Sequence, residues 1–92
     1  MNMPTADAIR DIRKVLGLTQ TQLGQLLGVH SLTVSKWERA VLTPSPYQMA
    51  MLDSFKKAGE RKPLVGGTVV ALLVGAGIAA ALYLLLKAAL ED

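Results

Sequence analysis

Apolar residues recur at helical spacing through the first 58 positions, and from Leu64 they become continuous. Ile9, Ile12 and Leu16 fall on one face of a first helix, with Thr5 placed to cap it, Asp7 near its positive end and Gly17 to stop it. Thr19-Gln20-Thr21-Gln22 has the spacing of a capping box. It opens a second helix that turns Leu23, Leu26 and Leu27 inward and stops at Gly28. His30 or Ser31 caps a third, which runs to about Arg39 with Val34 and Trp37 facing the core. Ser45-Pro46-Tyr47-Gln48 starts a fourth. Its stripe is Tyr47, Met51, Leu52, Phe55 and Ala58, and Gly59 closes it. The expected fold class is all-α.

Residues 64–86, LVGGTVVALLVGAGIAAALYLLL, hold 23 positions without a charged side chain. As one helix they would cover roughly 35 Å, enough to cross a ~30 Å hydrocarbon core. The expectation is a transmembrane helix over 64–86, reached from a helical domain at 1–58 by a short basic linker at 59–63 and followed by a tail at 87–92. The other reading of the run is a buried hairpin or an oligomer-core helix. Lys56, Lys57, Arg61 and Lys62 precede the run, whereas Lys87 is followed by Glu91 and Asp92. This bias places the N-terminal domain on the cytoplasmic side of a bacterial inner membrane, as a single-pass, tail-anchored protein in contact with the lipid bilayer. The start, MNMPTADAIRDIRK, has no apolar core of a signal peptide.

Within the run Gly67, Ala71, Gly75 and Ala79 recur every four residues, a small-residue ridge on which two helices can pack closely. Self-association into a homodimer is the expectation from this ridge. Nine of the 23 residues are Gly or Ala, so a ridge of this kind also arises readily from composition alone.

Residues 1–62 carry nine Lys or Arg against five Asp or Glu, a mildly basic balance that neither demands nor excludes nucleic acid. There is no cysteine and a single histidine, with no glycine-rich phosphate loop. No metal site, cofactor or catalytic constellation is therefore expected, and an enzyme is not the reading.

The segment QTQLGQLLGVHSLTVSKWER, Gln20 to Arg39, resembles the lambda-repressor-like, or Cro/repressor, helix-turn-helix family, and the resemblance extends over about residues 5–58. Gly24 lets the second and third helices cross closely, and Gly28 can take the positive φ of the turn. Val34 fills the angle between them, with Leu23, Leu27, Val29 and Trp37 around it. The resemblance implies a small repressor-like domain whose third helix enters the major groove of double-stranded DNA. Ser31, Leu32, Thr33, Ser35 and Lys36 would face the bases, Gln20 would hold a phosphate and Arg39 would lie near the backbone. Dimers of such modules read two half-sites. His30 stands where the family often has a Ser or Thr cap; a phosphate contact, a pH response and a plain surface substitution are its possible roles.

Two departures matter. After Trp37-Glu38-Arg39 the family commonly places Gly and then polar or basic residues, whereas this chain has Ala40-Val41-Leu42. The change removes turn freedom and phosphate contacts. Val41 and Leu42 either form an apolar spot for a cytoplasmic protein partner or finish the core under the fourth helix. The leading functional expectation is a membrane-anchored DNA-binding protein, either a transcriptional regulator or a DNA–membrane tether. One alternative is a membrane-anchored interaction adaptor, similar in its order of parts to the bacterial rod-shape protein that binds an actin-like filament. The other is a small phage membrane protein.

Overall fold

A computed structural model describes residues 6–61 and 65–90, all helix and short connections. The helices are α1 (Ala6–Val15), α2 (Gln20–Leu27), α3 (Ser31–Glu38), α4 (Pro46–Arg61), α5 (Val65–Gly75) and α6 (Ile78–Leu90). The Thr5 cap and Lys62 lie outside the described residues, and of Arg61 only the backbone is described.

Local chemistry sets the helix starts. Thr19 Oγ1 accepts the Gln22 N–H at 3.1 Å while the Gln22 side chain accepts the Thr19 N–H at 3.0 Å, the reciprocal box expected before α2. Ser45 and Gln48 make the same exchange at 3.2 and 2.8 Å before α4, with Pro46 at its first position. His30, not Ser31, caps α3: its Nδ1 accepts the Leu32 N–H at 3.0 Å.

Burial follows the predicted stripes. Ile9 and Ile12 of α1, Leu16 just after it, Leu23, Leu26 and Leu27 of α2, and Val34 and Trp37 of α3 are all buried, with Val29 packed against them. In α4, Leu52, Phe55 and Ala58 are fully enclosed, but Tyr47 is 69% exposed and does not belong to the stripe. Gly59 does not close α4 either. The helix continues to Arg61, through most of the expected linker.

The larger departure is in the apolar run. It does not form one straight helix but two, of 11 and 13 residues, joined at Ala76-Gly77 into a helical hairpin. Gly77 adopts φ +103°, outside the right-handed helical region, and this ends the helical path. Helix α6 then packs against α4, with lesser contacts to α5 and α2, and buries Ala81, Leu85, Ala88 and Ala89. At ~16 and ~20 Å each arm is shorter than a hydrocarbon core. Among the described residues no helix is long and apolar enough to cross a membrane. The expected span is corrected accordingly, and the hairpin reading of the run is the one the fold takes. Core residues form one continuous cluster from Ile9 through Leu52 and Phe55 to Ala89.

Candidate nucleic-acid interface

The helix-turn-helix is built on one close approach. A Cβ at Gly24 would lie 2.5 Å from the Val29 carbonyl oxygen, so only glycine lets α2 meet the turn that launches α3. Gly28 ends α2 at φ +72°, in the left-handed conformation expected of it. Val34, fully buried, closes the angle between the two helices.

Helix α3 touches α1 and α2 and turns its remaining surface outward. On that surface Leu32 is 53% exposed, Arg39 is exposed, and Ser31, Thr33, Ser35 and Lys36 are half-buried. Arg39 Nε donates to Ser35 Oγ at 3.2 Å, tying these two predicted residues together. His30 is exposed beside them. Its Nδ1 is unprotonated while it caps, which leaves the ring proton on Nε2. From Thr19 to Ser35 the chain has no Asp, Glu, Lys or Arg, so the positive charge near α3 is confined to Lys36, Arg39 and α1.

Gln20, expected to hold a phosphate, has a partner within the fold. Its Nε2 donates to Glu38 Oε1 at 3.3 Å, at the edge of an ion-pair network that pattern reading missed. Glu38 is only 4% exposed and receives Arg13 in a two-pronged contact, Nε to Oε2 at 2.7 Å and Nη2 to Oε1 at 3.0 Å. Arg10 Nε adds a longer ion pair at 3.9 Å, and its Nη2 donates to the Glu38 carbonyl at 2.7 Å. Burial alone would raise the Glu38 pKa. The hydrogen bonds from Arg13 and Gln20, with the charges of Arg13 and Arg10, outweigh it and hold the carboxyl below its ordinary range. The hydrogen bond to Glu38 likewise raises Arg13. The network clamps the end of α3 to α1 and so fixes the angle at which α3 is presented. A signal for it exists in the sequence: Glu38 follows Val34 and Trp37 on the same helical face, so it must be buried and must find a cation.

The other predicted positions lie away from α3. Val41 and Leu42 are 63% and 48% exposed, so they do not complete the core. Lys56 and Lys57 are exposed, with Lys57 3.3 Å from Asp53, and Lys87 Nζ sits 5.9 Å from the centre of the Tyr83 ring. Gly67, Ala71, Gly75 and Ala79 are all exposed on the outer side of the hairpin.

The helix-turn-helix family matches residues 9–52, from α1 to the middle of α4. The match coincides with the part of the fold that presents α3. No curated protein and no solved structure shows a significant match to the chain.

Proposed function

We propose that this protein is a regulator that binds duplex DNA by inserting α3 into the major groove. The observation that carries the reading is the α2–turn–α3 geometry, with Gly24 setting the crossing and a polar, uncrowded face of α3 turned outward. Eight residues give α3 a length of ~12 Å, on the scale of the groove width. Ser31, Leu32 and Thr33, at its N-terminal end, are the base-reading positions, with Leu32 suited to a thymine methyl. Lys36 and Arg39 supply charge toward bases and phosphates. So few cations give one copy a modest electrostatic contribution, which favours two copies on adjacent half-sites.

The test is selection from random duplexes by the full chain at near-physiological salt, followed by affinity measurement on the enriched sequence. A two-fold symmetric motif is expected. Ser31→Ala with Lys36→Ala should weaken binding to it by ~1–3 kcal/mol while leaving the thermal midpoint in place. Failure to bind any duplex would overturn the reading in favour of a protein partner, and the exposed Val41-Leu42 pair would be the place to seek it.

A further inference from the structure

We propose that the α5–α6 hairpin is a stowed membrane anchor: on an anionic lipid bilayer it leaves α4 and straightens through Gly77 into a single spanning helix. The hairpin is apolar around its whole circumference. Its inner side closes on the core at Val69, Leu73, Ala81 and Leu85, while its outer side shows Val74, Tyr83 and Leu90 at 76, 68 and 82% exposure. Helices at a protein surface carry charge on the side that meets water. Here Lys87 is the one charged residue among the described positions 65–90. Helices apolar on all sides belong in a large core or in lipid, and among the described residues nothing covers the outer side of this one.

The break between the two arms rests on one residue. Gly77 holds φ +103° with its N–H donating to the Leu72 carbonyl at 2.9 Å, and a Cβ there would meet nothing within 4 Å, so no side chain packs against the turn. Glycine can adopt right-handed helical angles without steric penalty. Straightened, the uncharged run is ~35 Å long, against ~30 Å of hydrocarbon, whereas neither arm suffices alone.

Both ends carry the groups that a bilayer surface attracts. Lys56 and Lys57 are exposed in α4, and Arg61 and Lys62 precede the run in sequence. At the far end Lys87 lies over Tyr83, and with Leu86 and Leu90 they line an open apolar groove of about 390 Å³. Aromatic and basic residues at this spacing sit at headgroup level. A second copy of the chain would cover the outer side, but it would leave the length match, the hinge and the flanking cations without a role.

The full chain is mixed with vesicles of phosphatidylcholine alone or with about a third phosphatidylglycerol, floated on a gradient and extracted at alkaline pH. The expected result is flotation with the anionic vesicles that resists alkaline extraction. Val74→Glu, on an open position, should keep the unfolding midpoint in water but reduce resistant flotation by on the order of tenfold. Gly77→Ala strains the closed turn and suits the straight helix, so it should raise the inserted fraction, by up to tenfold where the wild type is not saturated. Protein that stays soluble with both vesicle types, or floats and is then released by alkali, would overturn the proposal. So would a stable dimer in solution, dissociated by Val74→Glu, with no vesicle binding. An inserted fraction unchanged or lowered in Gly77→Ala would refute the hinge.

Discussion

The end of α3 offers the sharpest test of how this sequence stores strain. Ala40 N–H donates to the Trp37 carbonyl at 3.1 Å and Val41 N–H to the Lys36 carbonyl at 2.8 Å, the paired bonds of a Schellman closure. The residue at the bend is left-handed, and here it is Ala40, with φ +59°. Helix α1 closes in the same way, Gly17 to Lys14 and Leu18 to Arg13, but with glycine at the bend at φ +71°. A Cβ in that conformation costs ~1–2 kcal/mol. Glycine removes this cost but gives back roughly 0.5–1 kcal/mol through the greater freedom of the unfolded chain. Ala40 is exposed, so losing its methyl sacrifices no core contact. Ala40→Gly should therefore stabilise the fold by ~0.5–1 kcal/mol, a rise of about 2–8 °C in melting temperature for a chain of this size. Thermal and urea unfolding followed by far-UV circular dichroism read it directly, with the urea midpoint moving at constant slope. Gly17→Ala is the mirror experiment and should lower the midpoint. A midpoint unchanged or lowered in Ala40→Gly would refute the reasoning.

Three further outcomes follow from the packing and charges described. Gly24→Ala places a methyl against the Val29 backbone oxygen, so the turn must move; a loss of ~1–3 kcal/mol in urea unfolding is expected, with weaker duplex binding. Arg13→Ala leaves the Glu38 carboxylate buried with only the longer Arg10 contact and the Gln20 amide, and should cost ~3 kcal/mol in the same assay. Glu38 also sets an acid limit. Its folded-state pKa is depressed, so its contribution is complete above the ordinary glutamate value of 4.5 and is lost as pH falls through the folded value. Unfolding free energy plotted against pH should fall on that side in the wild type and be flatter there in Glu38→Gln. Parallel curves would contradict the role given to the clamp.

Helix starts and core stripes were legible because their causes are local. Thr19 with Gln22, and Ser45 with Gln48, are three residues apart, and Leu23, Leu27 and Val34 follow helical spacing. The Glu38–Arg13 pair spans 25 residues and depends on how α3 leans on α1, so periodicity could not supply the partner. It did leave a trace, in a charged residue on an apolar face. The bond from the Gln20 amide to Glu38 was hidden for the same reason. Along the apolar run, hydropathy is identical for a span and for a packed hairpin, so composition could not choose between them. The difference lies in the backbone of Gly77, one of nine small residues in that stretch and unmarked among them. Tyr47 has the spacing of the α4 stripe but lies in its first turn and stays exposed.

The core, unbroken from Ile9 to Ala89, has a thermodynamic consequence. Helix α4 touches both α1, which carries the clamp on α3, and α6 of the hairpin, and its Leu52, Phe55 and Ala58 are fully buried, so one helix links the two parts. Anything that binds more tightly to the packed form at α3 must oppose release of the hairpin by the same free energy with which release weakens that binding. Where release of α6 disturbs the placing of α3, the two proposed ligands, duplex and bilayer, would therefore compete for one chain.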